Sequence, residues 1–250
     1  MITLDVEQNS EEWLYARLGI PTASEFGRIL TPKTMKLSAS SEGYIDELIA
    51  ERLLGEPLED NSSTWMARGH KLEESARRYY EFVMDCKVSP GGFVLLDNRQ
   101  AGCSPDGFVG DDGGVEVKCP SAKGHVGYLR AGLPAKFMPQ VQGCMWITGR
   151  KWWDLMSYNP AIPPVIVRIE RDDAYIGKLS AAVLEFVERL EDASVKCNVP
   201  SDWRDSLRPP MEPEDRPGYE WPADIQADID AGKYDEAPKP TTTLGAFAGF

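Results

Sequence analysis

The sequence predicts an α/β protein in which a central mixed β-sheet is flanked by helices. Three observations carry this: apolar residues recur at helical spacing up to Met84, Gly92–Pro120 turns to short Val, Leu and Phe runs, and strand and helix patterns follow to about Leu190. Helices, then a sheet, then helices is the order such a sandwich produces.

The first helix is expected after Ser10, an N-cap residue followed by Glu11 and Glu12, with Gly19 as its stop. Trp13 and Arg17, four apart, share one face of it. Thr22-Ala-Ser-Glu25 has the spacing of a capping box and predicts a second helix running into Phe26, Ile29 and Leu30. Two more helical patterns cover Glu42–Leu54 and Arg68–Met84, the latter with Leu72, Ala76, Tyr79 and Val83 in periodic positions. Between Gly92 and Pro120, turns such as Gly110-Asp-Asp-Gly-Gly114 break the chain into a strand meander. A helix over Ala135–Trp146, strands over Trp152–Tyr158 and Val165–Glu170, and a helix over Asp172–Leu190 complete the expected elements.

Composition narrows the class. With 42% apolar residues, 250 residues are ample for a packed core. No stretch approaches the roughly 18 apolar residues of a membrane span, and the opening Met-Ile-Thr-Leu-Asp-Val lacks the basic and apolar regions of a leader. A cytoplasmic protein with no membrane partner is expected. Five cysteines with no C-x-x-C pair argue against a disulfide framework or a zinc knuckle and predict reduced thiols. After Pro200 the chain holds seven of its 19 prolines and 11 Asp/Glu against 5 Lys/Arg. Residues 205–250 are therefore expected to be an acidic, Pro-rich, disordered tail, and residues 1–204 one domain.

The net charge of −13 opposes a polyanion ligand, because phosphate neutralisation dominates non-specific nucleic-acid affinity. Removing the tail still leaves −7. A site that gathers carboxylates around metal cations is nevertheless acidic by necessity, and the bound ions invert its charge.

The chemistry is concentrated in Ser104-Pro-Asp106-Gly, a tight turn, and Glu116-Val-Lys118-Cys-Pro120. Alternate strand side chains share a face, so Glu116 and Lys118 project together while Val117 points into the core. The preceding strand, folded back by the turn, brings Asp106 beside them. Phosphodiester hydrolysis calls for this combination: hard carboxylate oxygens for Mg²⁺, metal-activated water, and a cation to orient that water. Asp106 and Glu116 are the candidate metal ligands, with the Val117 carbonyl as a further oxygen, Lys118 as the residue that positions water, and Glu73 as a third carboxylate for a second ion. Glu-x-Lys alone is also a common solvated pair on exposed strands. The Pro-Asp-Gly and the hairpin spacing leave the two readings evenly balanced.

The wider pattern breaks the tie. Ser10-x-x-Trp13-x-x-x-Arg17-x-Gly19 and Thr22-Ala-Ser24 open a series that continues with Gly69 and Glu73, Cys103-Ser-Pro-Asp106-Gly and Glu116-x-Lys118-Cys-Pro120. Gln140-Val-Gln142, Met145-Trp146 and Ile169-Glu-Arg-Asp172 complete it. In that order these motifs resemble the phage lambda exonuclease and YqaJ-type viral recombination nuclease family over residues 8–204.

The resemblance implies a restriction-endonuclease-like core with a PD-(D/E)xK site, a homotrimer, and Mg²⁺-dependent 5′-to-3′ digestion of double-stranded DNA ends. The products would be mononucleotides and a 3′ overhang for a single-strand annealing protein, in the cytoplasm of a bacterial host carrying the phage or prophage. Two Mg²⁺ ions are expected, with Mn²⁺ as a substitute. Asp106, Glu116, Lys118, Glu73 and Gln140 would be catalytic, Arg17, Ser24 and Ser104 would hold the 5′-phosphate, and Met66 would wedge the duplex. Ser24 in the first turn of a helix and a guanidinium at Arg17 suit an anion. The tight C-terminal cysteine group of an iron–sulfur nuclease is missing, and His70 and His125 meet no catalytic need. Trp13 is expected to pack rather than to stack on a base. An endonuclease on the same core and a recruitment scaffold for the annealing protein are the competing functions.

Overall fold

Two sheets organise the chain. The computed structural model describes residues 1–58, 64–205 and 207, and the side chains of residues 64–71 are outside that description. The larger sheet has the order β2-β5-β6-β7-β8, formed by Val88–Ser89, Gly107–Val109, Gly113–Lys118, Trp152–Asn159 and Ile162–Glu170. Its β6–β7 pair is parallel and the other pairs are antiparallel, so the sheet is mixed as expected. The smaller sheet joins β1 (Ile2–Leu4), β3 (Phe93–Leu95) and β4 (Gly102–Cys103) in the order β1-β3-β4.

Alternation along β6 and β7 splits the core in two. Trp153 and Leu155 face a cluster with Phe26, Tyr44, Val141, Met145 and Phe186, supplied by α2 (Phe26–Ile29), α3 (Ser41–Leu54), α6 (Met138–Thr148) and α7 (Asp173–Lys196). Val115, Val117 and Met156 face the opposite way, onto Ala76 and Tyr80 of α4 (Thr64–Met84). Each fully buried Val, Leu or Phe contributes roughly 1.5–3 kcal/mol, so two-sided burial holds β6 and β7 in register.

The first helix, α1 (Glu11–Arg17), starts as predicted: the Ser10 side chain accepts from the Trp13 N–H. The capping box at Thr22 does not form. Ala23–Glu25 is one 3₁₀ turn without a side-chain cap, because the Thr22 hydroxyl is engaged by Ser24 Oγ at 3.2 Å and Arg17 at 3.4 Å. Helix α5 (Ala122–Ala131) was not expected from the sequence. Strand β8 begins at Ile162 rather than Val165 and includes Pro163 and Pro164. It is an edge strand, where missing N–H groups cost little.

The Met1–Leu207 portion is one compact unit. Among the described residues, no helix is long and apolar enough to cross a membrane.

Candidate active site

The turn between β5 and β6 sets the geometry. Gly107 pairs with Val115, which carries Asp106 at the start of β5 back alongside the end of β6. Asp106 Oδ2 accepts the backbone N–H of Val117 at 2.6 Å. Gly113 and Gly114 make the close approach of β7 feasible: a Cβ on either would fall 2.0 Å and 2.5 Å from the indole rings of Trp152 and Trp153. Any larger side chain would force β6 and β7 apart.

Glu116 is 2% exposed and is the hub of the site. Its Oε1 accepts Lys118 Nζ at 2.6 Å and Gln140 Nε2 at 2.7 Å, whereas its buried Oε2 has no hydrogen-bond partner. Val117 points away into the α4 side of the core. Burial, then the neighbouring Glu116 charge, raises the Asp106 carboxyl well above its ordinary range, against the pull of Lys118 and the Val117 N–H. Burial works against the Lys118 ammonium, but Glu116 and Asp106 outweigh it and lift its pKa.

A cleft of about 130 Å³ collects the remaining residues. Glu73, Asp106, Glu116 and Gln140 line it together with Arg17, Ser24 and Ser104. The sequence expectations for these seven positions thus converge on one place, with Lys118 bonded to its wall. Trp13 closes the end of the cleft that holds Arg17 and Ser104: its indole N–H donates to Ser104 Oγ at 2.9 Å and the Arg17 guanidinium lies 4.4 Å from its ring centre. It packs rather than presenting a free stacking face, being 8% exposed.

Three lining residues were not picked out from the sequence. Gln8 donates to the Pro105 carbonyl at 2.8 Å, and Asn9 sits beside it in a left-handed turn at φ 68°. Thr22 bridges Arg17 and Ser24. Nothing in the local sequence marks Gln8 or Asn9, and the sequence offered Thr22 as a helix cap rather than as a lining residue, since each acts through contacts made by the fold. Cys103 and Cys144 are buried free thiols, and the neighbouring Cys103 thiol together with burial pushes Cys144 well up. His125 is fully buried between Ser157 Oγ (2.7 Å) and the Pro163 carbonyl (2.9 Å), away from the cleft lining. Met66 and His70 lie outside the described side chains.

The donor set fits a hard divalent cation. Among the described residues no three His, Cys, Asp or Glu side chains form a ready metal-holding group. Mg²⁺, however, binds through one or two carboxylates and keeps several waters. An unpartnered buried Glu116 oxygen beside a desolvated Asp106 is the electrostatic deficit such an ion corrects. A larger cleft of about 680 Å³ adjoins this one, lined by Arg17, Arg28, Glu25, Glu47 and Glu51. Its carboxylates are already partnered within the protein: Glu25 and Glu47 pair with Arg28, and Glu51 accepts the Gly19 N–H.

The chain is similar to several known proteins. The model of the YqaJ-like viral recombinase domain matches residues 12–151. An alkaline exonuclease from Laribacter hongkongensis, LHK-Exo, is 36% identical with a TM-score of 0.69, over 76% of this chain and 96% of that one. Its complex with dAMP matches equally well. A phage-related exonuclease from Haemophilus somnus 129PT, 17% identical with a TM-score of 0.57 over 72% and 96% of the two chains, supports the fold alone. The Escherichia coli (strain K12) protein ExoD is 31% identical over 64 residues, 24% of this chain and 74% of that one. The α/β core is restriction-endonuclease-like.

Proposed function

Because this chain belongs to the YqaJ-like viral recombinase domain family, we propose that it is a DNA exonuclease of phage-type recombination that degrades duplex ends from the 5′-phosphorylated strand. The observation that carries this reading is that one cleft is lined by Glu73, Asp106 and Glu116, the last bonded to Lys118, together with Arg17, Ser24 and Ser104, residue types that suit hydrolysis at a metal and the binding of a phosphate. A general endonuclease has no use for the second half. The similarity to an exonuclease that has been crystallised with dAMP supports a nucleoside monophosphate product.

Asp106, Glu116 and the Val117 carbonyl would hold one Mg²⁺, with Glu73 completing a second position and Mn²⁺ as an alternative ion. When bound, the cations supply charge neutralisation at the phosphoryl oxygens and an acidified water. Lys118, fixed on Glu116, presents its remaining N–H groups to the attacking water and orients it. Gln140 holds the same carboxylate oxygen from the helix side, so Glu116 cannot rotate away. Arg17, Ser24 and Ser104 bind the terminal 5′-phosphate and place the next phosphodiester at the carboxylates. A homotrimer and a single-strand annealing partner for the 3′ overhang complete the proposal, as does an intracellular setting in a bacterial host.

The test is a linear duplex labelled separately at each 5′ and 3′ end, incubated with Mg²⁺ or with chelator, beside a covalently closed circle. Release of the 5′ label as a mononucleotide, only with Mg²⁺ and only from the linear DNA, is the expected result. Cleavage of the circle would transfer the assignment to an endonuclease, and no cleavage of either would favour the scaffold.

A further inference from the structure

The chain is acidic overall, yet residues 117–153 contain no Asp or Glu and six Lys/Arg: Lys118, Lys123, Arg130, Lys136, Arg150 and Lys151. Three of the six are committed within the protein. Lys118 is bonded to Glu116, Arg150 donates to the Gly110 and Gly113 carbonyls, and Lys151 pairs with Asp112. Lys123, Arg130 and Lys136 are exposed, and among the described residues no carboxylate pairs with any of the three. Lys136 is the one that lies against the ring Lys118 also meets.

Its position is nevertheless fixed relative to the catalytic lysine. The Lys136 ammonium lies 5.0 Å from the centre of the Phe137 ring, and the Lys118 ammonium lies 5.5 Å from the same centre. Phe137 is itself braced edge-on by Tyr128 of α5 at 6.2 Å and packs against the main core cluster. The 3₁₀ turn Ala135–Phe137 leads directly into α6, so Lys136 sits about one turn before Gln140, which bonds Glu116. One ring thus holds two cations, one neutralised by Glu116 and the other facing solvent. A cation–π contact at an exposed site contributes only about 0.5–1 kcal/mol, so it biases where the Lys136 ammonium sits while leaving it available to an anion from solvent.

We propose that Lys136 contacts a backbone phosphate of the duplex next to the phosphodiester addressed by Lys118, making the Phe137 ring the spacer between the cutting position and the DNA track. The proposal rests on the nuclease reading above. Its chemistry is a point charge on a phosphate, without base readout. The lysine therefore contributes to affinity and salt dependence for every sequence alike, and its removal raises KM while kcat at saturating DNA stays unchanged.

The experiment is the binding of a fluorescent blunt duplex to the full-length protein in chelator across a salt series, for wild type, Lys136→Ala, Lys136→Arg and Lys151→Ala. Each neutralised phosphate contributes about 0.9 to the slope of log K against log salt. Lys136→Ala should flatten the slope by about that amount and weaken binding several-fold. Lys136→Arg should restore the slope, and Lys151→Ala, which removes a lysine already paired with Asp112, should leave it unchanged. An unaltered slope in Lys136→Ala, or an equal loss in Lys151→Ala, overturns the contact while leaving the nuclease reading intact. Failure of the wild-type protein to bind the duplex in chelator overturns the contact, and the end-label assay with Mg²⁺ then decides the nuclease reading separately.

Discussion

The indole N–H of Trp13 donates to the hydroxyl of Ser104 at 2.9 Å, across 91 residues of sequence. The same indole carries the Arg17 guanidinium on its face. One side chain thus aligns both kinds of anion-binding group proposed for the 5′-phosphate. Trp13→Phe keeps a ring under Arg17 but frees the Ser104 hydroxyl. It should cost about 0.5–1.5 kcal/mol of stability and raise KM for 5′-phosphorylated ends. A KM unchanged within error would mean that Ser104 needs no orientation.

Arg17→Ala tests the anion pocket itself. A hydrogen bond to a charged group contributes about 1.5–3 kcal/mol, so initiation on 5′-phosphorylated duplex should fall roughly 10- to 150-fold. On 5′-hydroxyl ends the loss should be much smaller. The readout is the interaction term of this double cycle, and equal losses on both ends would make Arg17 a general backbone contact.

Asp106→Asn should abolish cleavage and yet stabilise the metal-free protein. Burial and the Glu116 charge raise the Asp106 pKa in the folded state above its ordinary 3.8. The stability contributed by a carboxyl of raised pKa is fully present below the unfolded value and is lost as pH rises through the folded one. Asparagine is neutral throughout and escapes that loss. Melting temperatures in chelator should therefore diverge, variant above wild type, as pH rises from about 4 towards neutrality. Added Mg²⁺ should close the gap by stabilising the wild type alone. Parallel curves would show that Asp106 carries no such penalty.

On the opposite face of the sheet, Asp154 is fully buried and accepts Tyr80 Oη at 2.6 Å and two Arg168 nitrogens at 2.9 Å each. Tyr80→Phe removes one donor from a buried carboxylate and should cost about 1.5–3 kcal/mol. At roughly 2–4 °C per kcal/mol for a domain of this size, calorimetry resolves the change. Because Tyr80 ties α4 to β7, and α4 carries Glu73, turnover should fall as well. Full activity in a destabilised variant would detach Glu73 from the reaction.

Two truncations probe the boundary of the domain. Ending the chain at residue 205 retains Trp203, whose ring lies 4.7 Å from the Arg52 guanidinium carbon and against Gly19. Nuclease activity should remain within a few-fold of the full chain. Ending it at residue 200 removes that ring from a buried arginine and should lower the melting temperature. Equal stability of the two truncations would place the boundary earlier than proposed.

The parts of the fold that could be read in the sequence are those fixed by local alternation. Val115 and Val117 against Glu116 and Lys118 set the facing of β6, and the glycine-rich turn implied that Asp106 returns beside them. Other parts depended on distant partners. Helix α5 contains Gly124 and Gly127, each costing about 1 kcal/mol of helix propensity. Its packing is anchored by His125, buried between β7 and β8, and no periodicity announces that. The capping box at Thr22 failed because a local pattern was outcompeted by Arg17 and Ser24. Trp13 could be read as a packing residue, but its partner Ser104 could not, since only the closed fold brings them together.

The edge strand β8 bears on how this protein behaves at high concentration. An open sheet edge is a template for another chain, recruiting it through unpaired N–H and C=O groups. Pro163 and Pro164 have no N–H to offer, and the Pro163 carbonyl is already occupied by His125. The start of this edge thereby offers a neighbouring chain fewer backbone groups to pair with, so intermolecular sheet growth is disfavoured where β8 begins. The same two prolines that delay recognition of the strand in the sequence keep the native sheet from extending into a neighbour's.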